Sequence, residues 1–524
     1  MSFIVLPSEL VTEICGYLKL ADWCALRLTC RTFYLRSSEA FVNFNFQTIC
    51  VLITSEGLSR LAAIAADENI RTRVKDLWIV PTLFEGSLEK KYLPVGNTPP
   101  PLRDHSFPLS LYARGSRAGA ERFNRFTVYQ AIVADHCHVL STRTFGSVLR
   151  RSLACFKNLD GIGLRSCPTW VLLDAAQPAD FPCLGVRQLR RQIPCHGIIA
   201  PSVYLWHEKT KMGDKNASVF STVVNAIVTA QRELRRLKTC DRRHCGVAAQ
   251  DLTTLTMTPE YKRFLPLLQN LETLHLCFCG TDQAPTDYCE EDCLRGTLEM
   301  VVAAAPSLRT LDLSFCYEQD KRLSSQIFSQ LAPRVHFTQL RNLDLHSVDT
   351  THSDLQAFLR PAATTLQRLT LSSVNLVEAI SRLSTLNAEP HSAEKQQWIL
   401  DCRAEIARRW RAVWASLHDD MPSLRYLCMD DLLFHGYKIH LSDPLSAISG
   451  VTFPTRRTLK PRVPPTNSLR AVAFEADHAQ VPLGKWIRGL DAHPSEPASS
   501  KLFSCHKSGL LLGPHSSLPG SDSR

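Results

Sequence analysis

The chain has 524 residues, and its 60 lysines and arginines against 50 aspartates and glutamates leave a formal net charge of +10. Charged residues at 21% and apolar residues at 44% exclude a chain disordered throughout, a collagen-like repeat and a simple coiled coil. At roughly 150 residues per domain the length corresponds to about three domains, or to one long repeat body.

Twenty-two of the first 35 residues are apolar, an excess that something must cover. Leu6-Pro7-Ser8-Glu9-Leu10 reads as the start of a helix: proline loses nothing in a first turn and an acidic residue there suits the dipole. Leu10, Ile14, Tyr17 and Leu18 recur at helical spacing and are expected on one face. Asp22 opens a second helix, in which Trp23, Leu26 and Cys30 repeat that spacing. Two or three helices in about 40 residues are close to the size below which a domain seldom buries enough surface to stand alone. Their cover comes either from the rest of the chain or from an outside partner, and periodicity does not choose.

The series Leu6-Pro7-x-Glu9-Leu10, Ile14, Leu18, Asp22 and Leu26-Arg27-Leu28-Thr29-Cys30-Arg31 resembles the F-box. Leu28-Thr29-Cys30 departs from that family by lacking one residue of a Leu-x-x-Cys spacing, and Trp23 and Thr29 replace commoner aliphatics. The resemblance implies docking onto the Skp-type adaptor of a cullin-RING ubiquitin ligase, with Leu6, Pro7, Leu10, Ile14, Leu18 and Leu26 as the adaptor contacts.

Further along, the phrase apolar-x-x-apolar-x-apolar recurs. Its clearest copies begin at Leu271, Leu308, Leu340 and Leu366, and weaker ones at Val74, Leu159, Leu252, Leu424 and Leu469. Cys167, Cys279 and Cys316 stand three places after the last apolar position, where leucine-rich repeats carry Asn or Cys; Val348 and Val374 take that place in later copies. Helices are expected between copies, over 292–304, 324–331 and 353–359, each ended by a proline. Strand, helix and strand then alternate, which right-handed crossovers lay into a parallel array; the alternative is a compact α/β domain. An F-box followed by scattered leucine-rich phrases resembles in layout the F-box proteins of filamentous fungi. The expected fold class is therefore α/β: a short N-terminal helical F-box, then an irregular leucine-rich-repeat-like αβ solenoid with long loops and a disordered C-terminal tail. The expected boundaries are 1–45 for the F-box, 46–94 for a linking helix and first strand, 95–127 for a mobile insertion, 128–490 for the body and 491–524 for the tail. The irregular stretch 168–216 reads as an excursion from the body.

No stretch reaches the ~18 apolar residues of a membrane span, and the N-terminus lacks the basic start of a secretory signal. Nineteen scattered cysteines read as reduced thiols of a cytoplasmic or nuclear protein, and the Asn216-Ala-Ser218 sequon as accidental. Cys240, His244, Cys245, Cys277, Cys279, Cys289 and Cys293 lack the paired knuckle spacing of a zinc site, so no metal and no cofactor are expected. No nucleophile elbow and no local Cys-His protease pattern are present, and Gly161-Ile-Gly163, without a third glycine or a Lys-Ser/Thr, reads as a turn. No catalytic residue is assigned. Basic clusters stand at 232–243, 408–411 and 456–462; the first two read as the solvated faces of amphipathic helices, which disfavours a nucleic-acid partner. The function expected is a non-catalytic substrate receptor whose partners are the adaptor, a cullin scaffold and a target protein. A non-ligase, repeat-type interaction scaffold is the first alternative and a basic nucleic-acid-binding protein the second.

Overall fold

The computed structural model describes residues 6–18, 20–81, 131–132, 134–165, 183–186, 206–239, 246–248, 252, 255–279, 290–315, 321–377, 408–417, 419–430, 432–434, 437–442, 471–475 and 491–494. Three helices open the chain. Helix α1 (Ser8–Gly16) follows Pro7 at the N-cap, whose carbonyl accepts the Val11 N–H at 3.1 Å. It is followed by α2 (Leu20–Thr29) and α3 (Arg31–Asn45), the latter capped by the Cys30 thiol, which accepts the Phe33 N–H at 3.5 Å. Val11, Cys15, Trp23, Phe33 and Ala40 form their common core, and Leu6, Leu18, Leu26, Cys30 and Phe41 pack on it half-buried. The inward face of α1 therefore runs through Val11 and Cys15 to Leu18. Leu10, Ile14 and Tyr17 lie on the flank, because the face centred on Val11 is the one that meets Trp23 and α3.

Helix α3 leads through Phe46 and Gln47 directly into β1 (Thr48–Leu52), and a chain of rings spans the junction. Trp23 meets Phe41 at 5.7 Å, and Phe41 meets Phe46 at 6.0 Å, with Phe46 resting on the second and larger core. Glu39 and Arg73 add an ion pair at 3.5 Å across the same junction.

The larger core belongs to a parallel sheet. Its strands are β1, β2 (Asp76–Val80), β3 (Gly161–Leu164), β5 (Arg236–Lys238), β7 (Thr273–Cys279), β8 (Thr310–Phe315), β9 (Asn342–His346), β11 (Arg368–Ser372) and β13 (Tyr426–Asp430), each beside the next. Alternation of side chains across a strand sends the apolar positions of each phrase inward together. In register, Ile49, Leu77, Ile162, Leu237, Leu274, Leu311, Leu343, Leu369 and Leu427 make one continuous buried row. Each such side chain contributes about 1.5–3 kcal/mol of burial. Short β4 (Cys183–Leu184) pairs with the outer edge of β1, β6 (Val247–Ala248) with β7, and β16 (Ala471–Glu475) closes the far edge antiparallel to β13. The described strands thus form a mixed α/β, open parallel sheet whose order follows the chain, apart from β4, β6 and the antiparallel edge.

Helices cover the apolar side: α4 (Ser55–Ala66), the short α5 (Glu68–Arg71), α6 (Thr144–Cys155), α7 (Trp206–Ala230), α8 (Pro259–Phe264), α9 (Glu290–Ala304), α10 (Lys321–Leu331) and α11 (His352–Leu359). Thr54, Asp67, Thr258 and Thr351 cap four of these starts through their side chains, the hydrogen bonds expected of Thr and Asp at N-caps. Phe358 of α11 meets Phe328 of α10 at 4.9 Å and Phe337 at 5.4 Å, tying successive helices together. A second sheet runs β10 (Asp349–Thr350), β12 (Asn375–Leu376), β14 (Leu433–Phe434), β15 (Tyr437–Ser442) and β17 (Asp491–Pro494). Ser347 and Ser373, with φ of 54° and 55°, make equivalent left-handed corners from β9 to β10 and from β11 to β12, and bury Val348 and Val374 behind them.

Several expectations change. The copy beginning at Leu252 is no strand: Leu255 lies in a helical turn and Met257 is exposed, so apolar spacing alone misassigned it. Leu469's copy gives β16, but antiparallel. Gly161 and Gly163 are strand residues and not a turn. The basic run from Arg232 ends in β5 instead of lying on an amphipathic helix, since Leu234 and Leu237 are drawn into the sheet's core. Of the stretch 46–94, the described residues 46–81 hold two strands, β1 and β2, with α4 and α5 between them. Helix α7 starts inside the segment read as irregular, and its buried Asn216 donates to the Gly246 carbonyl at 3.0 Å, leaving no room for a glycan. Residues 491–494, at the head of the expected tail, pair as β17 with β15. The expected insertion at 95–127, the remaining tail, and Cys167, Cys240, His244, Cys245, Cys289 and Cys316 lie outside the described residues. No helix among the described residues is long and apolar enough to cross a membrane.

Candidate functional site

Two surfaces stand out. On the first, apolar side chains that a folded helical module would ordinarily hide are left in solvent. Among the described residues the exposed large apolar side chains are Leu10, Tyr17, Leu28, Tyr34, Leu35, Phe44 and Met257. All but Met257 belong to the three N-terminal helices and their caps. Leu28 is 85% exposed and Tyr17 84%, values far from those of a finished core. Scattered apolar residues on a surface are ordinary, but a concentration on one small module marks an interaction site.

The six residues predicted as adaptor contacts divide on this module. Pro7 and Leu10 are exposed and Ile14 is half-buried on the flank of α1. Leu6, Leu18 and Leu26 pack against the module's own core while keeping part of their surface outside. The Leu6 carbonyl also accepts a hydrogen bond from the Arg36 guanidinium at 2.6 Å, which pins the start of the chain onto α3. Leu35 and Phe44 of α3 and Leu28 of α2 were missed by the sequence reading. The signal available was the length of α3, whose apolar residues exceed what its buried positions, Phe33, Ser37 and Ala40, consume.

Arg27 organises the centre of the module. Its guanidinium lies 4.4 Å from the Tyr34 ring centre and 4.2 Å from that of Phe41, stacking between α2 and α3. Burial pushes the Cys15 thiol above its ordinary range, against an opposite pull from Arg27, so Cys15 behaves as an apolar core residue.

The second surface is the open face of the parallel sheet. The x positions of the repeated phrase point here, and most are polar. Asp76, Gly161 and Arg236 are neighbours in register, as are Trp78, Gly163 and Lys238. Because β3 offers glycine at both positions, side chains from β5 reach across it to β2: Arg236 Nε bonds the Asp76 carboxylate at 3.0 Å, and Lys238 Nζ lies 5.2 Å from the Trp78 ring centre. A Cβ on Gly161 would sit 2.1 Å from the Asp76 carboxylate oxygen.

Beyond β5 the same row carries His275, Asp312, Asp344, Thr370 and Cys428. His275 Nδ1 is 3.7 Å from Asp312, yet burial, then Lys238 and His346, lower its pKa to about 3. At neutral pH the ring is therefore uncharged, and the contact with Asp312 is polar without being an ion pair. Ser314 donates to Asp312 at 2.9 Å, and in the adjacent row the Asn342 amide donates to Thr310 at 3.1 Å.

Among the described residues of the open face no nucleophile is assembled with a base. Among the described residues no group of three or more His, Cys, Asp or Glu side chains is gathered as a metal ion would require.

Comparison with known proteins agrees with the first surface. A family model described as F-box-like matches residues 3–41, the span of α1, α2 and most of α3. No curated protein matches the chain.

Proposed function

We propose that this chain is the substrate-receptor subunit of a Skp-cullin-F-box type ubiquitin ligase. The F-box-like domain at residues 3–41 supports a receptor of that general class, and F-box domains bind Skp-type adaptors. The observation that carries the reading is the concentration of exposed Leu10, Tyr17, Leu28, Tyr34, Leu35 and Phe44 on that same module, a surface ready for an apolar partner. Pro7, Leu10 and Ile14 are the contacts that need no rearrangement, and Leu6, Leu18 and Leu26 support them from the core while presenting their outer edges.

The strand body is the target-holding part in this reading. Its chain-ordered parallel strands, with equivalent Ser347 and Ser373 corners, support an irregular leucine-rich-repeat-like solenoid. The chain itself performs no chemistry. It raises the rate of ubiquitin transfer by tethering target and charged carrier, which turns a bimolecular encounter into a nearly intramolecular one.

Affinity purification of the full chain tests this. Adaptor and cullin should both be recovered with the native sequence and both be lost with Pro7→Ala combined with Leu10→Ala. Recovery of the adaptor without any cullin would favour a repeat-type scaffold that binds partners without delivering them, and recovery of neither would overturn the receptor reading.

A further inference from the structure

The backbone just before each strand of the parallel sheet forms a ladder of its own. Asp160 bonds through its N–H to the Lys75 carbonyl, Arg235 to Asp160, Glu272 to Arg235, Arg309 to Glu272, Arg341 to Arg309, Gln367 to Arg341 and Arg425 to Gln367. One rim of the sheet is thereby lined by these residues in strand order. Along its first part the sign of charge alternates and the charges are matched. Arg235 lies 3.8 Å from Asp160 and 3.6 Å from Glu272, Arg309 lies 3.3 Å from Glu272, and Arg236 lies 3.0 Å from Asp76.

Past Arg309 the alternation stops. Arg341 and Arg425 line the rim where β9 and β13 begin, and Arg368 is the first residue of β11 between them. All three are exposed, and among the described residues none of them has an ion-pair partner. Arg368 stacks on Tyr426 at 4.0 Å, which holds its guanidinium in place. Strands about 4.8 Å apart put the Arg341 and Arg425 backbones about 10 Å apart, within the compass of one short peptide segment.

We propose that this rim binds an anionic segment of the target protein, its carboxylate or phosphate groups being held by Arg341, Arg368 and Arg425. The proposal rests on the receptor reading above and specifies what that receptor recognises. Guanidinium forks match both anions with paired hydrogen bonds. A nucleic-acid strand fits less well. Asp312, Asp344 and Asp430 occupy the open face on these and neighbouring strands, so a continuous polyanion laid across it would meet carboxylates, whereas a peptide confines its charge to the rim.

The test uses the full chain and an immobilised library of degenerate peptides in three versions, with phosphoserine, glutamate or serine fixed at the centre. Phosphoserine or glutamate members should be retained over serine members. The triple variant Arg341→Ala, Arg368→Ala, Arg425→Ala should lose about tenfold or more of that retention, while Arg235→Ala, on the matched part of the rim, keeps it. Preference for phosphoserine alone identifies phosphate as the ligand, and equal retention identifies carboxylate. Retention independent of the central charge, retention unchanged in the triple variant, or tighter binding of a charge-matched oligothymidylate would each overturn the proposal. Arg425→Gln, a single change at an exposed side chain, gives the same readout should the triple variant fold poorly. Adaptor recovery from the same samples separates the two readings: its loss with charge-selective peptide retention intact overturns the receptor and leaves the anion site standing.

Discussion

At Gly161 a methyl group would occupy the space of the Asp76 carboxylate, so the bridge from Arg236 over β3 depends on the absence of a side chain. Gly161→Ala should lower stability by about 1–3 kcal/mol through overpacking of this half-buried pair. Urea unfolding should show that loss, together with a much smaller effect of the same change in an Asp76→Ala background; equal losses in the two backgrounds would show that the bridge is not what the glycine protects. His275 supplies a second residue-scale consequence. Its folded pKa, about 3, lies below the ordinary value of 6.5. The unfolded chain therefore binds the proton that the folded chain refuses, and stability falls as pH drops from about 6.5 toward 3, by at most about 1.4 kcal/mol per unit. His275→Gln should flatten the stability profile between pH 6 and 4, and an unchanged slope would place the acid sensitivity elsewhere.

At the scale of the helix, α1 buries one face and exposes another, to which the receptor reading gives a separate job. Leu10→Ala, on the exposed flank, should weaken adaptor binding by about 2 kcal/mol, or about 30-fold, in a titration, with the melting temperature unmoved. Val11→Ala, one residue on and buried, should act through the fold, lowering the melting temperature of the module first. The sequence located this helix and its proline start and put Leu10, Ile14, Tyr17 and Leu18 on one face; of these four only Leu18 packs on the module's core, because spacing registers a stripe without saying which of two adjacent stripes meets a neighbour. The strands were more legible. Phrases beginning at Leu271, Leu308, Leu340 and Leu366 became β7, β8, β9 and β11, since three inward apolar residues at fixed offsets leave a strand little choice of register. Leu252 to Met257 shows the limit of that inference: the same letters close a helical turn when no adjacent strand offers a ladder. The unmatched rim arginines were invisible for a related reason. Arg341, Arg368 and Arg425 are scattered over 85 residues of sequence and become neighbours only through strand pairing.

Across the whole molecule, two apolar cores divide the described residues. The smaller holds Val11, Cys15, Trp23, Phe33 and Ala40, and the larger runs from Ile49 to Leu432. A module with so small a core opens at low cost. Hydrogen exchange should find the amides of α1 and α2 exchanging well before those of β8 and β9, and adaptor binding should slow the former selectively. Uniform protection across both would mean that the ring chain Trp23, Phe41 and Phe46 welds the cores into a single cooperative unit. Within the larger core, Leu369→Ala should cost about 2–5 kcal/mol, because its neighbours Leu343 and Leu427 are held by their own strands and close the gap only in part.

The order of strands is also a timetable. Synthesis runs from the N-terminus, and in this sheet nearly every new strand leaves the ribosome to find its template already laid beside it. Among the described strands the exceptions are β6, which is made before its neighbour β7, and the outer margin of β1, whose companion Cys183 and Leu184 comes only later. Throughout that interval no other described strand pairs with that edge, which follows directly on a set of oily helices, and a chaperone or an early-arriving adaptor would find both within reach.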